Sequence, residues 1–135
     1  MTSRSATLGL AAALLLAATT ASAQGQLEKL AKTTPQERAT VQTMTMKEKL
    51  SLTAQQLPAV EKVNLATATQ MQPILEGSEG PLIKMRKAKA IEAQRDAELQ
   101  TILSPPQYQQ WLAEKEAMKQ KVEQKLMEKH QGGAS

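Results

Sequence analysis

Apolar residues recur at intervals of three and four positions along most of this chain, and no alternating apolar–polar run of strand length separates them. Such spacing places apolar side chains on one face of a helix. The pattern predicts an all-α fold with helices over about residues 35–50, 54–75, 82–102 and 105–130. Each of the last three predicted helices has an apolar stripe. The stripe of the second helix is Leu57, Val60, Ala68, Met71 and Leu75, and that of the third is Met85, Ala88, Ile91, Leu99 and Ile102. The stripe of the fourth helix is Tyr108, Trp111, Leu112, Met118, Val122 and Leu126.

Three of the predicted helices begin with the same local motif, a capping box. In this motif a Ser or Thr side chain accepts a hydrogen bond from the third helical residue, and a Glu or Gln side chain there accepts one from the cap residue. Pro35 and Pro105 take the first helical position, where proline is favoured. The motif occurs as Thr34–Glu37 (TPQE), Thr53–Gln56 (TAQQ) and Ser104–Gln107 (SPPQ).

The second and third boxes form a near repeat, with Leu103 following Leu52 by 51 positions. Each leucine can pack on an apolar residue of the next helix, Leu57 or Tyr108, as a hydrophobic staple. The repeat therefore predicts two fixed corners, and the segment EGSEGP (76–81) predicts a third break. Long helices joined by short corners favour a long bent helical hairpin of about four helices.

The start of the chain has the pattern of a secretory signal peptide. Arg4 gives a positive charge, residues 8–18 form an apolar run too short to span a membrane, and Ala21-Ser22-Ala23 is typical of a cleavage site. We expect cleavage after Ala23 and a periplasmic mature protein, with an uncleaved anchor as the alternative. The expected organisation is a signal peptide over 1–23, a flexible arm or weak helix over 24–33, a helical domain over 34–130 and a disordered tail over 131–135.

Composition limits how much core one chain can form. Tyr108 and Trp111 are the only aromatic residues, and the chain has neither cysteine nor phenylalanine. Stability must come from packing without disulfides. Helices with thin apolar stripes bury little surface alone, so a homodimer is a natural way to bury more.

The charge balance is mildly basic. Of the 17 Lys and Arg, Arg4 lies in the expected signal peptide, which leaves 16 against 13 Asp and Glu. This balance does not indicate nucleic acid binding. The segment Lys84–Lys89 (KMRKAK) concentrates four cations, which suit an anionic lipid, lipopolysaccharide, an acidic client segment, or simply a solvated helix face.

No arrangement of catalytic or metal-binding residues is apparent. His130 is the only histidine, and there is no catalytic triad, paired-carboxylate pattern or glycine-rich phosphate loop. Tight zinc sites usually take three or four N or S ligands, which one histidine cannot supply. We expect no enzyme activity, no cofactor and no metal. A shared site in a dimer from His130 and Glu128, or soft-metal binding by Met44 and Met46, remains an alternative.

The methionines have two explanations. They can fill the interior, as flexible methionine often does, or they can form an adaptable surface that binds varied partners. Beside lysines, such a surface suits unfolded chains, because cations attract at long range and apolar contacts can repack. The candidate client contacts are Met44, Met46, Leu50, Met71, Lys84, Met85, Arg86, Lys87 and Lys89.

Both corners also match a known pattern. LTAQQ has Leu52, Thr53 and Gln56 of the LTxxQ motif, and LSPPQ has Leu103 and Gln107, with Ser104 in place of threonine. An exported, cysteine-free, helical chain with two such motifs resembles the Spy and CpxP family of periplasmic LTxxQ proteins. Its residues 34–56 are similar to small Spy-like proteins of Bacteroidota-type bacteria, and the whole resemblance covers about residues 34–125.

The resemblance implies a bent hairpin that pairs antiparallel into a cradle-shaped homodimer. It also implies ATP-independent chaperoning of unfolded or aggregation-prone envelope proteins. Some members of that family damp sensor kinases or bind metals, so the alternative is a stress- or metal-responsive accessory protein that binds a sensor kinase's periplasmic domain. A structural protein without clients is a third possibility. The chain departs from the family at Pro58, where the family usually continues the helix, and in lacking the histidines of its zinc-binding members.

Removing a capping hydroxyl should destabilise the fold. Thr53→Ala and Ser104→Ala are each expected to lower the free energy of unfolding by about 1 kcal/mol, because a helix N–H loses its acceptor. Thermal melts followed by far-UV circular dichroism measure the effect. Unchanged melts for both variants would contradict the corner assignment.

Overall fold

The computed structural model describes Gly25 and residues 27–132, and this part of the chain is all-α, which confirms the predicted fold class. No predicted boundary of the four long helices is wrong by more than two residues. The expected signal peptide and residues 133–135 of the expected tail lie outside the described residues. None of the described helices is long and apolar enough to cross a membrane. The helices are α1 (27–31), α2 (Pro35–Leu50), α3 (Gln56–Glu76), α4 (Pro81–Ile102) and α5 (Pro105–Gly132).

The four long helices pack antiparallel in the spatial order α4–α3–α2–α5. Helix α2 packs against α3 and α5, and α3 also packs against α4, whereas α4 and α5 contact each other sparsely. The turns at 51–55 and 103–104 lie at one end, which we call the corner end. The turn at 77–80, α1 and the last turns of α5 lie at the other, which we call the tip end. This order leaves α4 and α5 as the two outer helices.

The core is concentrated toward the corner end. Met46 and Leu50 of α2 are 0% and 3% exposed, so in this fold neither can contact a client, and this corrects the sequence-based assignment of these two residues. The reason is that α2 is covered on both sides, by α3 and by α5. The buried cluster comprises Met46, Leu50, Leu52, Val60, Val63, Leu99, Leu103, Trp111 and Met118, with Leu57, Ile102 and Tyr108 packed against it.

Arg38 organises the tip end. Its guanidinium donates hydrogen bonds to the backbone oxygens of Leu30 (3.2 Å) and Thr33 (2.7 Å), which join α1 to α2. It also donates to the Ala68 oxygen (3.2 Å) and to the Gln72 side chain on α3. The segment expected to form a flexible arm or a weak helix thus contains a helical turn whose backbone oxygens accept hydrogen bonds from Arg38 of α2 and from Gln72 of α3.

Glu37 links the start of α2 to the end of α5. It forms the first capping box with Thr34, through bonds of 2.9 and 3.1 Å. Its carboxylate also lies 3.7 Å from Lys129 Nζ and 3.5 Å from His130 Nε2. The backbone N–H of Thr34 is the main cause that holds the pKa of Glu37 below its ordinary value, while desolvation opposes it. These contacts bring the end of α5 beside the start of α2, as the antiparallel packing of the two helices requires.

One helix provides a matched test of this core. Leu99 is 0% exposed and Leu82 is 78% exposed, and both belong to α4. Leu99→Ala should lower the free energy of unfolding by about 2–5 kcal/mol, through lost burial and a residual cavity. Leu82→Ala should change it by less than about 0.5 kcal/mol. Urea unfolding measures both, and equal effects would mean that α4 does not pack as described.

Candidate functional site

Both LTxxQ motifs form reciprocal capping bonds. The Thr53 N–H donates to Gln56 Oε1 (3.0 Å), and the Gln56 N–H donates to Thr53 Oγ1 (3.1 Å). The second motif repeats this pattern, with the Ser104 N–H to Gln107 Oε1 at 2.9 Å and the Gln107 N–H to Ser104 Oγ at 3.4 Å. Helix α3 begins at Gln56, later than predicted, so Pro58 falls in its first turn, where a missing N–H removes no helical bond. The motif hydroxyls and amides therefore define how each helix begins.

The two glutamines also bind each other. Gln56 Nε2 donates to Gln107 Oε1 (2.7 Å), and Gln107 Nε2 donates to Gln56 Oε1 (3.0 Å). Each amide reaches the end of another helix as well, since Gln56 Nε2 donates to the Ile102 oxygen (3.2 Å) and Gln107 Nε2 to the Leu50 oxygen (3.1 Å). We call this arrangement the glutamine clasp. It connects the ends of α2 and α4 to the starts of α3 and α5.

The motif leucines anchor the clasp in the core. Leu52 and Leu103 are 7% and 6% exposed and belong to the buried cluster, against which Leu57 and Tyr108 pack. Each LTxxQ motif thus contributes a core anchor, a hydroxyl cap and one half of the clasp. The capping rules predict the bonds within four residues, but nothing in them predicts the bond between the motifs. The repeat of the motif was the one sequence signal of this pairing.

A groove runs between α4 and α5, with α2 and α3 as its floor. Its volume is about 510 Å³, within the usual range of about 300–1,000 Å³ for ligand sites. The tip half is mainly apolar, and the corner half carries more polar groups. Lining residues include Leu27, Leu30, Met71, Leu75 and Met85 in the tip half, and Asn64, Arg95 and Trp111 in the corner half.

Asp96 closes the groove at the corner end. The buried carboxylate accepts hydrogen bonds from Trp111 Nε1 (2.9 Å) and Lys115 Nζ (2.7 Å), both on α5. Arg95 lies over the Trp111 ring, 4.9 Å from its centroid, in a cation–π contact. These interactions hold α4 to α5 near the corner end of the groove. The spacing of apolar residues predicts that Trp111 lies in an apolar stripe, but nothing in that spacing predicts its carboxylate partner.

Glu123 is a half-buried residue on the α5 wall of the groove. Burial is the main cause that raises the pKa of its carboxyl group, because a buried carboxylate loses hydration. Lys119 opposes this shift, and Glu116 and Glu92 add to it.

The first turns of α4 expose an unusual apolar surface. Leu82 is 78% exposed, and Ile83 and Met85 are each 48% exposed. Exposed apolar patches often mark interaction sites. Cations flank these side chains on the same turns. We call the set the α4 strip: Leu82, Ile83, Met85, Arg86, Lys87 and Lys89.

The structure divides the remaining client candidates. Lys84 donates to the Leu75 oxygen at 3.1 Å, so it caps the end of α3 rather than facing solvent freely. Met71 lines the groove together with Met85. Met44 is 48% exposed but lies two positions along α2 from Gln42, a groove residue, and therefore about 200° around the helix from it. Met44 thus lies apart from the groove.

The described residues contain no group of three or more His, Asp or Glu side chains that could hold a metal ion. Glu37 and His130 lie 3.5 Å apart at the tip end, but they form a pair and not a larger cluster.

Comparison with known families gives one match. The model described as a domain of unknown function, DUF4890, matches residues 23–111, about two thirds of the chain, and the chain belongs to this family. The matched region contains both LTxxQ motifs and ends at Trp111, so most of α5 lies beyond it. Neither a curated protein nor a solved structure matches the chain.

The clasp predicts energetic coupling between positions distant in sequence. Gln56→Ala and Gln107→Ala should each lower the free energy of unfolding by about 1–3 kcal/mol, because partly buried N–H and C=O groups lose their partners. The double variant should lose less free energy of unfolding than the two single variants lose together, and the difference is a coupling energy of about 0.5–3 kcal/mol. Urea unfolding of all four proteins measures the cycle.

Gln110→Ala is the matched control for this cycle. Its amide donates to the Lys49 oxygen at 2.9 Å, near the clasp but exposed. When Gln110→Ala is combined with Gln56→Ala, the losses in free energy of unfolding should add. Additive losses for Gln56 and Gln107 themselves would contradict the clasp.

Proposed function

We propose that this DUF4890 protein is an ATP-independent periplasmic chaperone of the Spy and CpxP type, which holds unfolded or aggregation-prone envelope proteins. The observation that carries the proposal is the α4 strip, where Leu82, Ile83 and Met85 are exposed on the same helical turns as three cations. A folded domain gains nothing from exposing these apolar side chains, so a binding role is the simplest explanation for them.

The chemistry of the α4 strip suits unfolded clients. Apolar side chains on one exposed helix provide contacts that do not require a fixed complementary shape, and methionine adapts well to varied partners. Arg86, Lys87 and Lys89 attract acidic segments over about a Debye length, roughly 8–10 Å at physiological salt. Lys87 pairs with Glu79 at 2.7 Å, but both side chains are largely exposed and such a pair exchanges easily.

The proposal also includes export to the periplasm and assembly into a homodimer. The pattern of residues 1–23 supports export to the periplasm, where ATP is not available to drive release. An antiparallel cradle-shaped homodimer would place two α4 strips in one assembly, which would raise the effective concentration of binding surface for a long client. Light scattering coupled to size exclusion measures the oligomeric state directly.

The α4 strip predicts which substitutions weaken chaperoning. Residues 24–135, the expected mature chain, should suppress the light scattering of a chemically unfolded client at a near-equimolar ratio without ATP. Leu82→Ser with Ile83→Ser should require about tenfold more protein, since losing one or two apolar contacts of about 1–2 kcal/mol weakens binding by that factor. Stability should stay within about 0.5 kcal/mol of wild type, because both side chains are exposed.

Two matched controls test the location of the surface. Leu65→Ser with Leu112→Ser changes two other exposed leucines, at 37% and 40%, and should leave suppression unchanged. A variant with Arg86, Lys87 and Lys89 changed to Gln should bind more slowly at low salt, whereas the same change at Lys47, Lys49 and Lys62, exposed cations on α2 and α3, should not.

The outcomes separate the chaperone from its alternatives. Unchanged client aggregation at several-fold excess of wild-type protein rejects the chaperone proposal. Tight binding to one folded sensor domain, without affinity for unfolded chains, would instead support an accessory role.

A further inference from the structure

Methionine is the side chain of this protein that peroxides oxidise most readily. The sequence contains no cysteine, and its single tryptophan, Trp111, is 1% exposed. Oxidation of a methionine thioether gives a sulfoxide, which turns a flexible apolar side chain into a polar one. An oxidant therefore acts on this protein through its methionines, and their burial determines which of them it reaches.

The described methionines differ widely in exposure. Met46 and Met118 are 0% and 1% exposed and belong to the core. The sulfur of Met46 also accepts a hydrogen bond from Asn64 Nδ2 at 3.4 Å. Met44 and Met85, in contrast, are each 48% exposed. A dissolved oxidant thus reaches Met44 and Met85 while the methionines that hold the core remain packed.

Of these two exposed methionines, Met85 belongs to the α4 strip and Met44 lies apart from it on α2. Leu82, at i−3, and Lys89, at i+4, are the neighbours of Met85 along one face of α4. A sulfoxide oxygen at Met85 places a hydrogen-bond acceptor beside the most exposed leucine of the strip, and the Lys89 ammonium can donate to it. Oxidation at this position therefore interrupts the apolar part of the strip.

We propose that Met85 is a reversible oxidation site, at which a peroxide converts the thioether to a sulfoxide and lowers the affinity of the α4 strip for apolar segments of its partners. With hydrogen peroxide, a sulfur–oxygen bond forms as the O–O bond breaks. The proton of the transferred oxygen passes to the departing hydroxide, and water leaves. The sulfur loses two electrons and the peroxide gains them. Methionine sulfoxide reductases reverse the change.

This inference rests on the proposed function for the partners that the strip binds, and it adds a means of regulating that binding. Oxidation removes one of three exposed apolar side chains, whereas Leu82, Ile83 and the three cations remain. Binding should therefore weaken and not disappear. Retention on a phenyl column, which measures exposed apolar surface, reports on the same change without a client.

Peptide mass spectrometry after treatment with hydrogen peroxide tests the site. Met85 should be oxidised at least about tenfold faster than Met46 and Met118, because oxidation of those two requires local opening of the core. The far-UV circular dichroism spectrum should not change. Oxidation of Met46 or Met118 as fast as that of Met85 would overturn the inference, since the fold itself would then be the target.

Two matched variants identify the methionine that matters. Met85→Leu removes the proposed site, and Met44→Leu removes an equally exposed methionine elsewhere. Each variant is compared with its own untreated form, so any effect of the substitution itself cancels. After treatment, wild type and Met44→Leu should need at least about threefold more protein for the same suppression of client aggregation, and should elute earlier from the phenyl column. Met85→Leu should change in neither, although the half-buried Met71 and Met127 are still present.

Treatment of the oxidised wild type with methionine sulfoxide reductases and a thiol reductant should restore both suppression and column retention. Equal losses in Met44→Leu and Met85→Leu would overturn the inference and leave the chaperone proposal standing, provided that the untreated protein suppresses aggregation. If the untreated protein does not suppress aggregation, the chaperone proposal is rejected. Column retention of the two variants then decides by itself whether oxidation of Met85 changes the α4 strip.

Discussion

The hydrogen-bonded pair of Gln56 and Gln107 is the constraint on which the arrangement of the helices depends. Four helix ends meet at this pair, and each end would otherwise leave backbone groups partly buried without partners. The two-residue turn at 103–104, the bonds of Asp96 and the contact of Arg95 with Trp111 also hold α4 and α5 together near the corner. The clasp therefore does more than begin two helices, because it also joins them to the ends of α2 and α4.

The corner and the tip use different means of stabilisation. The corner contains both aromatic side chains and most of the buried apolar cluster. The tip has less apolar core and is joined instead by polar bonds, chiefly those of Arg38 and Glu37. Polar bonds to backbone oxygens hold the helices in position without covering apolar surface. A chain poor in core residues thus has a well-packed corner end, and apolar side chains of α4 remain exposed at the tip end.

Helix α4 is packed in its last turns and exposed in its first turns. Its last turns bury Asp96 and Leu99 between neighbouring elements, whereas its first turns expose Leu82 and Ile83. The difference arises because α4 packs on α3 and contacts α5 sparsely, with hydrogen bonds from α5 to Glu92 and Asp96 in its middle and later turns. Client binding at the exposed turns, as proposed, would leave the packed turns undisturbed. Stability and binding would then be separable by substitution within a single helix.

The sequence by itself determined the all-α class, the bounds of the long helices and the capping bonds of each motif. These depend on residues within about four positions of each other, where spacing fixes geometry. Only the tertiary structure decided that Met46 and Leu50 are buried while Met44 is exposed, that Gln56 meets Gln107, and that Asp96 accepts from Trp111. The same helical stripe fits several packing orders. Which residues meet across helices follows from the order α4–α3–α2–α5, and that order is a property of the packed chain and not of any local segment.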